Sequence, residues 1–402
     1  MSDLFATIRR KAHDFEADTV RFLAEMISTP SFSAREEKVI AVIETAMKAA
    51  RFDEVRVDGL GNVIGRIGSG PRLLAFDAHV DTVYPGDAAQ WESDPFSPRT
   101  AGGRIFGRGA ADQKGGMASM VCAARIIEEL GLNEEWTLLF TGTVMEEDCD
   151  GLCWQYLIHE EKVRPELVVI TEPTNLNLYR GQRGRMEINV ALRGLSCHGS
   201  APERGDNAVY KTARLALEIE ALNGRLGGDP FLGKGSAAVT EVTSSSPSLC
   251  AVPDLSSLHI DRRLALHDTK ESVLAEVDDA ALRAGVGAVE VTVPVYDQPA
   301  YTGLRYPMEQ YYPTWVLDEE SPWLSKARGV YARLFEKEAL VDKWTFSTNG
   351  VTIAGLNSIP CIGLGPGEEP QAHAPNESCP IDHLSEAAAF YAAFVAHLNG
   401  KG

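Results

Sequence analysis

The sequence predicts an α/β protein: a mostly parallel sheet covered by helices, interrupted by an inserted unit of β-α-β-β-α-β order. Three observations carry this. Apolar runs such as "RLLAFDAHVD", "WTLLFTGTV" and "ELVVITEP" alternate with helix-length amphipathic segments, as strands buried on both faces of an open sheet do. From about residue 181 the strands change character, and "GRMEINVALRG" alternates apolar and polar residues like a half-exposed strand. After residue 296 the first pattern returns. The expected division is therefore 1–180 with 297–402 as one domain and 181–296 as an insert.

The elements follow in order. Residues 3–28 and 35–51 carry apolar residues at helical spacing, and Ser33 stands three residues before Glu36 as a candidate N-cap. Strand signals come in "EVRVD", "NVIGRIG" and "RLLAFDAHVD". The helix "GGMASMVCAARIIEELG" closes at Gly131. A strand, a helix near "GLCWQYLIHE" and the strand "ELVVITEP" complete the first segment. In the insert, the helix "NAVYKTARLALEIEALN" follows the first strand. The strands "AAVTEVTSS" and "SSLHIDRRLAL", a helix over 269–285 and the strand "AVEVTVPVY" then give the ferredoxin-like order. "SPWLSKARGVYARLF", "SIPCIGLGPG" and a helix from about 382 return the chain to the larger domain.

Bulk properties narrow the function classes. The 402 residues are 44% hydrophobic and 24% charged, an ordinary globular balance, and suffice for two domains. A formal net charge of −19 argues against nucleic acid and anionic membranes as partners, since both require basic patches. The N-terminal stretch is charged and amphipathic without a secretory pattern, and no apolar run is long enough to span a bilayer. A cytoplasmic location is expected. The seven cysteines form no CxxC pair, which fits reduced thiols. "CDGLC" (Cys149, Cys153) lacks a second pair to complete a thiolate metal site.

Open α/β sheets bind ligands beyond the carboxyl ends of their strands. Three polar groups fall at such ends: His79 and Asp81 after "RLLAFDA", Glu146 and Glu147 after "WTLLFTGTV", and Glu172 after "LVVIT". Asp112 lies in the Gly-rich turn "GRGAADQKGG", and His373 in the loop "GPGEEPQAHAPNE". Taken singly, a histidine after a strand is more often structural and a Glu-Glu pair is more often a solvated turn. Jointly they fit imidazole and carboxylate ligands for zinc, with cobalt or manganese as alternatives. Five such groups hold two ions if one carboxylate bridges, and two ions roughly 4 Å apart activate one water between them. One glutamate of the pair then ligates while its neighbour serves as base.

These motifs, "HVDTV", "GRGAADQKGG", "MEED", "TEP" and "AHAPNE", stand in the order that resembles the zinc-dependent exopeptidases and deacylases: acetylornithine deacetylase, succinyl-diaminopimelate desuccinylase, aminoacylase and glutamate-releasing carboxypeptidase. "GLSCHGSAPERGDNAV" is similar to that family's lid motif. The resemblance implies a di-metal hydrolase domain with an inserted lid and dimerisation domain. It implies that His79 and Glu172 hold one metal, Glu147 and His373 the other, and that Asp112 bridges both. Asp81 would fix the His79 tautomer and Glu146 would be the general base and then proton donor. His198 would stabilise the oxyanion, at the partner subunit's site of a homodimer. Arg263 would meet the substrate carboxylate, and Asn207 of the lid motif would contact substrate. A cis peptide after Asp112 is also implied.

Two departures bear on the substrate. "SLCAVPD" has Cys250 where many members have Asn, and "FSTNG" (346–350) replaces "GGTD", a variant that resembles a branch labelled selenium-metabolism-linked hydrolases. The expected activity is hydrolysis of an N-acyl, N-carbamoyl or similar amide of a small amino-acid-like substrate by a metal-bridging hydroxide. The alternatives are a dipeptidase or carboxypeptidase with the same machinery, or a non-catalytic metal-binding scaffold.

Overall fold

The structure is a computed structural model and describes residues 4–401. Its main sheet has nine strands. Arg72–His79 lies at the centre, parallel to Trp136–Thr143 on one side and to Leu167–Ile170 on the other, and Cys361–Gly363 runs parallel to Leu167–Ile170. Antiparallel strands flank this centre: Val63–Ile67 and Glu54–Val57 at one side, Leu178–Gln182 at the other. The central strands are almost wholly buried, which accounts for their continuous apolar runs. The register sets His79 opposite Thr143 and Asp77 opposite Ile170. Since these strands are parallel, their carboxyl ends open onto one edge of the sheet.

Two helices cover the sheet next to that edge. Ile381–Leu398 is buried along most of its length, and Lys114–Leu130 ends at Gly131 in the left-handed conformation at φ 57°, as its sequence predicts. Gly116 matters here: a Cβ added to it would stand 2.3 Å from Thr171 Oγ1 and 2.7 Å from the Thr171 carbonyl oxygen. Its absence brings the start of this helix against the strand end that precedes Glu172. A small three-stranded sheet, Arg99–Ala101, Arg104–Phe106 and Ser378–Pro380, ties the loop before Asp112 to the loop after His373.

The insert's antiparallel sheet places Gly184–Arg193 between Leu255–Leu264 and Glu290–Thr292, with Ser236–Ser245 at the edge. This is the ferredoxin-like order. Its helices Ala208–Leu222 and Lys270–Ala284 close a core of its own around Met186, Ile188, Val190, Leu258 and Ile260. That core is separate from the larger one around Phe76 and Phe140.

Three sequence expectations change. The segment 3–28 is two helices, Leu4–Asp14 and Glu16–Ile27, and its residue 3 lies outside the described residues. Ser33 does not cap the next helix: Glu36 holds the N-cap position, and the Ser33 hydroxyl instead donates to Asp81 Oδ2 at 2.7 Å. "AVEVTVPVY" is not one strand. Pro294 offers no N–H to a ladder, and the chain divides around it: Glu290–Thr292 stays in the insert's sheet while Val295–Tyr296 pairs with Met308–Glu309. Tyr311–Tyr312, beyond residue 296, then rejoins that sheet beside Arg185 and Met186. Among the described residues no helix is long and apolar enough to cross a membrane.

Candidate metal centre

The sheet edge brings five groups together. His79 Nε2 lies 2.9 Å from Asp112 Oδ1 and 3.5 Å from Glu172 Oε1. His373 Nε2 lies 2.8 Å from Glu147 Oε2 and 3.4 Å from Asp112 Oδ2. Asp112 thus turns one oxygen toward each imidazole. His79, Asp112 and Glu172 form one set, and Asp112, Glu147 and His373 a second, each with ligand atoms within 4.8 Å of one another. Glu146 belongs to neither set; its Oε2 is 3.9 Å from His79 Nε2.

The chain holds these groups mostly through backbone donors. Asp81 accepts from the Glu146 N–H at 3.2 Å and the Glu147 N–H at 3.0 Å, fixing the acidic turn to the strand that ends at His79. It meets His79 Nδ1 twice, with its carbonyl oxygen at 3.0 Å and its carboxylate at 3.5 Å. Buried Glu377 accepts from the N–H groups of Gly109, Ala111 and Asp112 and from Arg108, organising the turn that presents Asp112. Buried Glu36 accepts from Met145 N–H at 3.0 Å just ahead of the acidic pair. The Asp112–Gln113 peptide is cis.

Electrostatics asks for cations. Burial pushes Glu146 and Glu172 well above the ordinary carboxylate range, His79 pulling each part of the way back. Burial, with Asp112 nearby, raises Glu147 to about 7. Burial alone would lower the His79 imidazole, but Glu172, Glu146, Asp112 and Asp81 raise it well above its usual value. The Glu147 hydrogen bond raises His373 to about 9. Against burial, the His79 hydrogen bond and neighbouring cations hold Asp112 below its usual value. Glu146 Oε1 and Glu172 Oε2 are buried without a hydrogen-bond partner among the described residues. Buried carboxylate oxygens are normally satisfied. Oxygen and imidazole donors, two triples sharing one carboxylate, and the orphaned oxygen of the ligand-set residue Glu172 fit a pair of divalent ions.

Other groups singled out in the sequence stand apart. His198 is exposed on the insert, its Nδ1 2.7 Å from Ser200 Oγ, and none of its contacts reaches the ligand sets. Arg263 pairs with Asp261 through Nε at 2.8 Å and Nη2 at 3.0 Å. Asn207 Oδ1 caps the helix Ala208–Leu222 by accepting from the Val209 and Tyr210 N–H groups. Exposed Cys250 accepts at its carbonyl from the Gly199 N–H. The insert still touches the acidic turn: Arg185 Nη2 is 3.4 Å from Asp150, and the Tyr296 hydroxyl donates to Asp148 at 3.0 Å. Sequence reasoning missed Glu377, Glu36 and Asn349 as organisers. Glu377 lay inside the quoted "AHAPNE", and Asn349 was noted only as a departure.

Comparison with known proteins agrees. The model of Peptidase family M20/M25/M40 matches residues 75–397. The uncharacterized protein YgeY of Escherichia coli K12 is 52% identical over 97% of this chain and 96% of its own length. A succinyl-diaminopimelate desuccinylase of Cereibacter sphaeroides is 29% identical over 66% of this chain and 73% of its own. Among solved structures, aminopeptidase PepT of Bacillus cereus superposes with a TM-score of 0.73 at 20% identity, covering 96% of this chain and 99% of that one. The Bacillus subtilis YXEP protein, a dinuclear metal binding peptidase, does so with a TM-score of 0.71 at 14% identity, covering 97% and 100%. The chain belongs to Peptidase family M20/M25/M40 and is a metal-dependent hydrolase acting on amide bonds.

Proposed function

We propose that the protein cleaves an N-acyl, N-carbamoyl or similar amide of a small amino-acid-like substrate. One observation carries this: Asp112 divides its two oxygens between two ligand sets while buried Glu146, outside both, stands beside them with an unpartnered oxygen. In this reading His79 and Glu172 would hold one divalent ion and Glu147 and His373 the other, with Asp112 contributing to both sets. Bound there, the ions, zinc foremost with cobalt or manganese as alternatives, would supply Lewis acidity toward the scissile carbonyl and the attacking water. Glu146 takes the proton of that water at its carboxylate and returns it to the leaving amine. Asp81 keeps Glu146 and Glu147 in register with His79.

The remaining groups belong to the insert. We place His198 as the donor to the oxyanion and Arg263 as the grip on a substrate carboxylate, with a second copy of the chain as partner. The exposed edge strand Ser236–Ser245, with Val242 55% exposed, and the exposed Leu249, Tyr210 and Leu217 support such a dimer, because unpaired strand edges and apolar surface invite a two-fold partner. All seven cysteines are free, which supports a cytoplasmic location. The desuccinylase relative favours deacylation, and a dipeptidase or carboxypeptidase with the same machinery is the second reading. Metal-loaded protein assayed against N-acyl amino acids, carbamoyl compounds and dipeptides separates the two. The chelated protein should be inactive and recover with added zinc, cobalt or manganese; full activity without metal would refute the reading.

A further inference from the structure

Asn349 lies in the "FSTNG" departure and is buried with every polar position of its side chain in use. Its Nδ2 donates to Asp77 Oδ2 at 2.8 Å and to Thr143 Oγ1 at 3.2 Å. Its Oδ1 accepts from the Gly151 N–H at 3.0 Å and the Cys153 thiol at 3.1 Å. Asp77 is fully buried two residues before His79, and its Oδ1 accepts from the Thr141 hydroxyl at 2.7 Å. A single amide therefore joins the strand beneath His79 to the far end of the turn that carries Glu146 and Glu147. Asp81 fixes the near end of that turn.

We propose that Asn349 is a positioning residue for the reaction: paired with Asp77, it holds the Glu146–Glu147 turn in register with His79. This rests on the hydrolase reading above. The pair needs one carboxylate and one amide facing each other, but not a fixed side for each. In Asn349→Asp alone, two buried carboxylates meet where one donor is required, and an unmatched buried acceptor is costly. In the exchanged pair, Asp77→Asn with Asn349→Asp, the amide at 77 donates to the carboxylate at 349 and accepts from Thr141. The carboxylate at 349 accepts from Gly151 and Cys153, and the Thr143 hydroxyl turns to donate to it. The Thr143 hydroxyl thereby gives up its 3.3 Å bond to Asp77 Oδ1, and the other bonds of the pair keep counterparts.

The test compares wild type, N349D, D77N and the double variant by three readouts: thermal midpoint after chelation, visible spectrum and metal content after cobalt loading, and kcat and KM on the best wild-type substrate. N349D should lower the midpoint, alter the cobalt spectrum and cut kcat about 100-fold per loaded site, the cost of about 1 Å of misplacement. D77N should fall less, because its amide can turn toward Asn349. The double variant should regain most of the midpoint and bring kcat back to within about tenfold of wild type, a coupling that contacting residues show and independent ones do not. A lowered midpoint with unchanged spectrum and kcat would mean a structural role only and overturn the proposal. So would a double variant whose losses are the sum of the singles. If N349D does not fold, a folded and active double variant still supports the pairing, and an unfolded one refutes it. The chelated midpoint needs neither metal nor turnover. A wild type that takes up no metal would therefore sink the hydrolase reading separately, with the pair still readable.

Discussion

The sheet edge and the insert solve opposite problems. At the edge, His79, Asp112 and Glu172 are buried, and backbone N–H groups pin the acidic turn and the Asp112 turn through Asp81 and Glu377. In the insert, His198 is exposed and Arg263 is occupied by a neighbour on its own strand. The difference teaches where the binding energy is stored. Metal ligands must be preorganised, since repulsion among their carboxylates opposes assembly. The groups proposed to grip a substrate would only need to arrive with it, and they lie on a unit with its own core.

The contrast yields predictions in descending size. Glu146→Gln should keep both metals, checked by elemental analysis, and lose about 10²–10⁴ in kcat, the range of a lost general base. Glu147→Gln should instead lose one metal equivalent; the reverse pattern would exchange their roles. His198→Ala should cost about 10²–10³ in kcat, as loss of an oxyanion donor does, with metal content and thermal midpoint unchanged because the side chain is exposed. Glu377→Gln should destabilise the folded chain by about 3–5 kcal/mol, since it leaves buried Arg108 without its counter-charge; denaturant unfolding measures it. The smallest effect is in pH. The metal-free site raises His373 to about 9, so below that pH a proton occupies the imidazole that the ion needs. Metal affinity should rise as pH increases from 6 toward 9 with proton release, measured by calorimetry in buffers of different ionisation enthalpy. Pairs of edge variants should show strong coupling in folding stability, whereas an edge variant and His198→Ala, which share no contact within the chain, should add in folding stability.

The five residues that converge at the sheet edge were legible in the sequence because each follows an apolar strand or lies in a Gly-rich turn or loop. Position on the strand is a local signal, and the parallel register turns it into proximity, as His79 opposite Thr143 illustrates. The ferredoxin-like order was legible for the same reason, through the alternation of Met186, Ile188 and Val190. The organisers were not. Asn349 reaches Asp77 across 272 residues and Glu377 reaches Gly109 across 268, and no periodicity records such a pair. Ser33 followed the capping pattern, yet its hydroxyl went to Asp81, because tertiary partners outbid a local cap.

In the proposed dimer the metal centre would be complete within one chain while its substrate groups come from the other. Mixing inactive subunits tests it most directly. Homodimers of Glu146→Ala and of His198→Ala are each expected to be nearly inactive. After random exchange about half the dimers are mixed, and each mixed dimer has one site with both defects and one with neither. The account predicts recovery of about a quarter of wild-type activity. No recovery, with subunit exchange verified independently, would show that His198 serves its own chain and would contradict the account.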